Sequence, residues 1–390
     1  MGTEKLYDDM PYEKDFTAQV IQTEKGSDGH MLVRLDRTMF FPEEGGQTSD
    51  RGVLEGYDVI HVSIEGDTII HEVCCPEDAF EAGNTVSGRI DWDHRFSNMQ
   101  NHTGEHILSG ILHRDYASEN KGFHLSDSIV TLDTSRFLSE DETAELEAKA
   151  NRVIYDDRPV LCGYHDPSEL QGKEYRSKTV IEGPVRLVTI PGVDVCACCA
   201  PHVKHTGEIG LIKIIKAIRY KGGTRLTILS GQRAYEYMVS IFRTTEQLSH
   251  MLSENPDRLT GAVSRLMDEI NGYKQERAEA SRKLLEERIG ALDPKERDAL
   301  IFTEDTDRIA QRNAVNAMAA SRDGICAVFS GSDEKGYSYI LSHPAGDARE
   351  SAKRLEQALG ARGGGSKEMV QGSVTADRES IAAALFGKEL

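Results

Sequence analysis

The sequence predicts an α+β protein in four parts: an N-terminal β-barrel, an α+β middle domain, a helical, coiled-coil-like connector and a small C-terminal α/β domain. Three observations predict it. Short alternating apolar–polar runs separated by Gly, Asp and Asn fill the first stretch. The apolar spacing then switches between helical and strand-like. Finally, a long apolar stripe at steps of three and four precedes a last alternation of helix and strand. The expected boundaries are 1–92, 93–234, 235–295 and 296–390, ordinary domain sizes for a chain of 390 residues.

In chain order, Phe16-Thr17-Ala18-Gln19-Val20-Ile21 and Met31-Leu32-Val33-Arg34-Leu35 read as strands of a barrel or sandwich. Gly45-Gly46-Gln47-Thr48-Ser49-Asp50-Arg51-Gly52 is too rich in glycine for a helix and marks a loop. Residues 94–115 read as a helix, with Ile107, Leu108, Ile111 and Leu112 on one face. A strand follows from Ser128 to Asp133. Ser139 then caps a second helix, and Glu142 completes a capping box. Val185–Ile190 and Ile209–Ile218 are strand-like. From Tyr235 to about Leu292 the pattern is helical. Leu259, Val263, Leu266, Ile270 and Tyr273 form one stripe, continued by Ala280 and Leu284 after a break at Arg277. That stripe suits either packing on its own chain or a homodimer contact. Asp293-Pro294 ends the helix. A strand at Ile325–Ser330, a helix at Asp347–Leu359 and the glycines Gly363, Gly364 and Gly365 complete a small α/β domain.

Composition narrows the function. No run approaches the ~20 apolar residues of a membrane span. The acidic start, Met1 to Pro11, lacks a signal-peptide pattern, so a cytoplasmic location is expected. Cys196, Cys198 and Cys199 crowd together, which in such a chain reads as metal binding before disulfides. Acidic residues outnumber basic ones 65 to 46, for a net charge of −19, which argues against a nucleic-acid partner. Local charge matters more than the sum. Lys213, Lys216, Arg219, Lys221 and Arg225 form a stretch without an acid, readable as a nucleic-acid contact or as a solvated strand edge.

The chemistry is concentrated in two pairs. His102 and His106 lie at i and i+4 on the expected helix, so both imidazoles share one face. Cys198 and His202 repeat that spacing downstream. One thiolate and three imidazoles make a tetrahedral set suited to Zn2+. Cys196 is a rival thiolate. A competing reading takes His102-Thr103-Gly104-Glu105-His106 as H-x-x-E-H, the inverted zinc-peptidase signature, with Glu105 as general base and a distant Glu as third ligand. That reading leaves Cys198 and His202 without a role.

These residues carry a resemblance. Phe40-Phe41-Pro42-Glu43-Glu44-Gly45-Gly46-Gln47 with Asp50 and Gly52 resembles the glycine-rich motif of the alanyl-tRNA editing proteins, the AlaX family. Arg95 and Gln100 to Ser109 resemble their first metal motif. Asp194, Cys198, His202, Val203, Thr206, Gly207, Ile209 and Gly210 resemble their second, and the match runs on through Arg225 and Gly231. Gly363-Gly364-Gly365 with Met369 and Gln371-Gly372 is similar to the C-terminal DHH-associated domain of alanyl-tRNA synthetase, which makes the order of parts that of the long AlaX type.

The resemblance implies a zinc-dependent deacylase acting on alanine tRNA that carries the wrong amino acid, serine or glycine. Gly45 and Gly46 read first as a turn that demands positive φ and second as contacts with the tRNA acceptor end, and Gln47 is the better candidate for a polar contact with tRNA. Gly363 to Gly365 read as a loop, which the resemblance makes a further tRNA contact. Glu105 and Phe123 stand at positions that face the amino acid in the family, and His124 is a further pocket candidate. The sequence departs from the family in places. The second motif usually reads Cys-Gly-Gly-Thr-His, and here it is Cys198-Cys199-Ala200-Pro201-His202. Relatives often carry Thr where this chain has Glu105, and a small hydroxyl residue where it has Phe123, which puts the preferred amino acid in doubt. A non-catalytic zinc-containing tRNA-binding protein is the main alternative.

Overall fold

The computed structural model describes residues 2–26, 29–177 and 183–387. They form two compact units, Met1–Thr245 and Glu246–Leu390. Helix and sheet are mixed through both, as the sequence predicts.

The first unit opens with β1 (Glu4–Lys5) and the single turn α1 (Leu6–Asp9). The strands β2 (Asp15–Lys25), β3 (Met31–Leu35), β5 (Gly52–Leu54), β6 (Tyr57–Glu65), β7 (Thr68–Cys74) and β8 (Thr85–Ile90) close into a barrel in the order β2-β3-β7-β6-β5-β8. The short β4 (Arg37–Thr38) pairs parallel with β1. The alternation read from the sequence sets the barrel interior: Phe16, Ala18 and Val20 of β2 and Met31, Val33 and Leu35 of β3 all point inward. Closure leaves no exposed sheet edge. The chain between β4 and β5 plunges Met39, Phe40 and Phe41 into that core before the glycine-rich loop.

Helix α2 (Trp92–Tyr116) follows, capped by the Asp91 side chain on the His94 amide. It is not amphipathic in the expected way. Polar residues of its middle turns are as buried as Ile107 and Ile111, because elements pack on every side of it. The approach is tight at Gly104, where a methyl group would lie 2.3 Å from the Ser230 hydroxyl oxygen, and at Gly110, where it would lie 2.4 Å from the Val193 carbonyl oxygen. The rest of the unit comprises β9 (Asn120–Leu125), β10 (Val130–Thr134), α3 (Glu140–Tyr155), β11 (Leu161–His165), β12 (Val185–Ile190), β13 (Asp194–Ala197), β14 (Ile212–Tyr220) and β15 (Gly223–Ser230). They form a four-stranded sheet, β14-β15-β10-β9, and a three-stranded sheet, β11-β12-β13. The capping box of Ser139 and Glu142 is present on α3. The strand expected from Ile209 starts later, because Thr206–Ile209 winds into a 3-10 turn.

The helical stretch breaks at residues 253–258. It divides into α4 (Gln232–Leu252) and α5 (Leu259–Gly290), with Pro256 in the turn between. Along α5 only Ala262 and Leu285 are buried, and the stripe residues Val263, Leu266, Ile270 and Tyr273 are exposed. The second unit continues with β16 (Ala299–Thr303), α6 (Arg308–Ala319), β17 (Cys326–Ser332), β18 (Gly336–Ser342), α7 (Ala348–Leu359), β19 (Arg362–Gly365), β20 (Met369–Val374) and α8 (Arg378–Phe386). Its sheet has the order β16-β17-β18-β20-β19. The glycines Gly363 to Gly365 are therefore not a loop. They form an exposed edge strand paired with β20.

Candidate metal centre

Four donors from two distant segments converge in the first unit. Helix α2 sets His102 and His106 one turn apart, with ring centroids 5.4 Å apart. The ring of His202 stands 4.9 Å from the first and 4.8 Å from the second. The Cys198 sulfur lies 3.6 Å from His102 Nε2 and 3.4 Å from His202 Nε2. One ligand atom from each of the four residues fits within 4.8 Å of all the others. Metal–sulfur and metal–nitrogen bonds of about 2.3 and 2.0–2.1 Å at the tetrahedral angle place S and N about 3.6 Å apart. The spacing suits a zinc-sized cation.

Each imidazole is aimed by a partner on its other nitrogen. His102 Nδ1 is 2.7 Å from Gln47 Oε1, His106 Nδ1 is 2.8 Å from Asp194 Oδ2 and His202 Nδ1 is 3.0 Å from Thr103 Oγ1. With an acceptor on each Nδ1–H, all three Nε2 lone pairs face the same point. Burial holds the His202 imidazole well below its ordinary pKa, the neutral form a ligand needs. Burial pushes the Cys198 thiol well above its ordinary value, so a thiolate there requires a nearby cation. A neutral imidazole at His202 with a thiol that ionises only beside positive charge is the donor chemistry of a soft divalent site.

The rival cysteines are placed differently. Cys196 forms its own close group with His106 and Asp194. Asp194 is already gripped by the Arg176 guanidinium through two bonds of 2.7 Å, so a cation at that group would meet a fixed positive charge. Cys199 sits beside Glu44, and burial first and that carboxylate second push its thiol up to about 12. Among the described residues, Cys198 is the thiol that joins all three histidines. Among the described residues, the same geometry gives the inverted-peptidase reading no distant Glu as third ligand, because the donors that join His102 and His106 are Cys198 and His202. Glu105 Oε1 accepts from Asn120 Nδ2 at 2.6 Å and from the Ser109 hydroxyl, and Glu105 stands beside the cluster rather than in it.

The sequence of this site has known counterparts. Residues 185–227 match the family model of the threonyl and alanyl tRNA synthetase second additional domain, and residues 4–94 match that of class II (A) tRNA synthetases. The alanyl-tRNA editing protein AlaX-L of Pyrococcus horikoshii is 30% identical over 97% of this chain and 96% of its own length. The chain belongs to the alanyl-tRNA editing protein family. It is also similar to the alanine–tRNA ligases of Ignicoccus hospitalis (30% identical over 93% of this chain) and Thermococcus kodakarensis (32% over 95%). It spans 40% and 42% of their lengths.

The glycine-rich motif of this family member reaches the site by docking on a strand. Leu125 of β9 donates to the Gly46 carbonyl at 2.7 Å and accepts from the Thr48 amide at 3.1 Å. Gly46 has φ +85°, and a methyl group there would lie 2.6 Å from the Phe123 carbonyl oxygen, so only glycine serves. This docking drives Gln47 inward. Gln47, expected to touch tRNA, is 1% exposed and bonded to His102. It is thus a buried support of His102 in this structure rather than a surface amide.

An open cavity of about 1500 Å³ adjoins the cluster, lined by Gly45, Gly46, His102, Glu105, His106, Asn120, Phe123, Arg176 and Cys198 among others. The Phe123 ring stands 4.8 Å from that of His102 and forms a wall. His124, the next residue on the strand, is exposed and does not line the cavity. Neighbouring strand residues face opposite ways, so a pocket role for Phe123 rules out one for His124.

The basic stretch is less positive than its sequence suggests. Lys213 pairs with Glu147 of α3 at 2.6 Å, and Arg225 pairs with Asp133 of β10 through two bonds of 2.6 Å. Arg219 stacks on Phe137 at 4.3 Å, while Lys216 and Lys221 are exposed. Gly363 to Gly365 lie in the second unit.

Sequence reasoning missed Asn120, Thr103 and Arg176 as site residues. Among the described residues the buried Oδ1 of Asn120 has no partner, and Asn120 lines the cavity. The partners of the histidines could have been sought in the sequence, since every ligating imidazole needs one, but their identity depends on the tertiary approach.

Proposed function

We propose that the protein hydrolyses the ester joining a wrong amino acid, serine first and glycine second, to the 3′ end of alanine tRNA. The single observation that carries this reading is the cluster of three imidazoles and one thiol beside an open cavity that also holds Glu105 and the unpartnered Asn120 Oδ1. His102, His106, Cys198 and His202 would hold Zn2+. A bound Zn2+ supplies a fixed positive charge that attracts the ester and ribose oxygens.

The chain's own residues do the rest. Glu105, fixed by Asn120 and Ser109, is the carboxylate placed to accept a proton from an attacking water. Asn120 Oδ1 can accept from the ammonium or the serine hydroxyl. A site whose buried acceptor pairs only with the hydroxyl rejects alanine by up to ~10⁴–10⁵-fold, because alanine leaves it unpaired. Phe123 limits the space above the α-carbon, which serves selection of glycine. The exposed Lys216, Arg219 and Lys221, with the bare edge of β19, are the proposed grips on the tRNA. The exposed faces of α4 and α5 support a homodimer, and a cytoplasmic location follows from the substrate.

The test is deacylation of alanine tRNA charged with Ser, Gly or Ala. The parent should release Ser and spare Ala, Asn120→Ala should lose Ser release, and Phe123→Ala should erode the protection of Ala-tRNA. Cys198→Ala should lose both metal and hydrolysis, whereas Cys196→Ala keeps both. Tight tRNA binding with no hydrolysis of any of the three would favour the non-catalytic reading.

A further inference from the structure

The three histidines of the metal cluster are each aimed by a side chain on Nδ1, whereas the thiol meets the backbone amide of Ala200. A cysteine sulfur is one rotatable bond from its backbone, so its position follows from where that backbone is held. Residues 198–202 run outside regular structure. One side chain grips the backbone at two of them. Arg186 of β12 donates from Nη1 to the Cys198 carbonyl at 2.9 Å and to the Ala200 carbonyl at 2.9 Å. Its own carbonyl accepts from the Cys198 amide at 3.1 Å. Both backbone polar groups of the ligand cysteine are therefore tied to one residue.

That residue is itself anchored. Arg186 is 6% exposed, and its Nε lies 3.4 Å from Asp8 Oδ1. Asp8, on the first short helix, accepts from the Tyr164 hydroxyl at 2.8 Å. A buried guanidinium is costly unless its charge and donors are matched, and here two carbonyls accept from Nη1 while the Asp8 carboxylate stands against the charge. The planar fork fixes angle as well as distance, which a single hydrogen bond does not.

We propose that Arg186, backed by Asp8, is a positioning residue for the metal-binding thiolate: it is not among the metal-binding donors, and it sets where the Cys198 sulfur stands. The inference rests on the reading of His102, His106, Cys198 and His202 as a metal site. Removing the guanidinium should leave three imidazoles in place and let the thiolate drift, which weakens metal binding by roughly 10–100-fold, the range seen for residues that orient ligands.

The experiment loads the full chain with Co2+ and records its sulfur-to-cobalt charge-transfer band and its dissociation constant by chelator competition. The parent, Cys198→Ala, Arg186→Gln, Arg186→Lys and Asp8→Asn are compared, with thermal unfolding of each metal-free protein beside them. Cys198→Ala should abolish the band. If parent and Cys198→Ala share one spectrum, it is the metal-site reading that fails. Given a thiolate band in the parent, Arg186→Gln should weaken it and raise the dissociation constant at least tenfold, Arg186→Lys should restore part of both, and Asp8→Asn should move both in the same direction by less. A folded Arg186→Gln protein with band and dissociation constant within about twofold of the parent overturns the proposal. If Arg186→Gln does not fold, unchanged values in Asp8→Asn overturn it instead, and shifted values support it.

Discussion

Helices α2 and α5 invert one another. The first buries Arg95, Asn101, His102, Glu105 and His106, while the second leaves Val263, Leu266, Ile270 and Tyr273 exposed. On α2, burial is tolerated because polar groups find partners. Arg95 meets Asp50, Asn101 exchanges hydrogen bonds with the Ser230 backbone, and the histidines meet Gln47 and Asp194. On α5, the amphipathic stripe has no cover from its own chain among the described residues. A polar helix can thus bury most of its residues while an apolar stripe stays exposed. What decides is the number of elements that pack around each, not the hydropathy of the helix itself.

The sharpest way to break this comparison is to unpair α2. Asp50→Ala leaves the fully buried Arg95 guanidinium without its carboxylate and the Phe41 amide without an acceptor. Breaking a buried pair in this way costs roughly 3–5 kcal/mol. Urea unfolding followed at Trp92, the chain's one tryptophan, should shift accordingly; a loss below about 1 kcal/mol would mean that α2 does not depend on its polar partners.

A second buried polar group tests the same rule in the barrel. Burial holds the His71 imidazole down at about 4, between Val33 O at 3.0 Å and Thr38 Oγ1 at 2.8 Å. In the unfolded chain the same group titrates at about 6.5. Between these values the unfolded state binds the extra proton, so stability falls as the pH drops from about 6.5 to about 4, by up to about 3 kcal/mol. Unfolding midpoints across that range should show the slope, and His71→Gln should flatten it. An equal slope in both proteins would assign it to other groups.

Asp194→Asn probes the metal face of α2. It keeps an oxygen for the His106 Nδ1–H but loses the charge that Arg176 clamps. Metal affinity should fall roughly 10–100-fold, with little change in the stability of the metal-free protein beyond about 1–2 kcal/mol. Competition with a chromophoric chelator reads it directly; affinity within twofold of the parent would remove Asp194 from the site.

The smallest expected effect lies on α5. Ile270 is 51% exposed, so Ile270→Lys should change the stability of a lone chain by no more than about 0.5 kcal/mol. If a second copy covers the stripe, sedimentation should show the variant as a smaller species than the parent. Equal sizes at all concentrations would leave the stripe without that partner.

Much of this was legible because it is local. The barrel strands followed from alternation, as at Phe16, Ala18 and Val20. Helix α3 followed from Ser139 and Glu142, and the two ligand pairs from a spacing that puts donors on one face. What misled the reading was non-local. Gln47 looked like a surface amide until its loop docked on β9. His124 looked equivalent to Phe123 until the strand turned them to opposite faces. The five cations from Lys213 to Arg225 looked unopposed until α3 brought Glu147 and β10 brought Asp133.

By itself, the sequence determined which residue types were available to a metal and on which elements they ride, since period and capping are properties of neighbours along the chain. Only the tertiary structure decided which cysteine lies close to all three histidines, which nitrogen of each imidazole points into that group and whether a polar residue is exposed or buried as a support. Cys196 and Cys198 are chemically alike and two residues apart. They differ because Arg176 with Asp194 occupies the surroundings of one, while Arg186 ties the backbone of the other toward three imidazoles. Those partners lie on separate segments, and the distances that distinguish the two thiols exist only once the segments have packed.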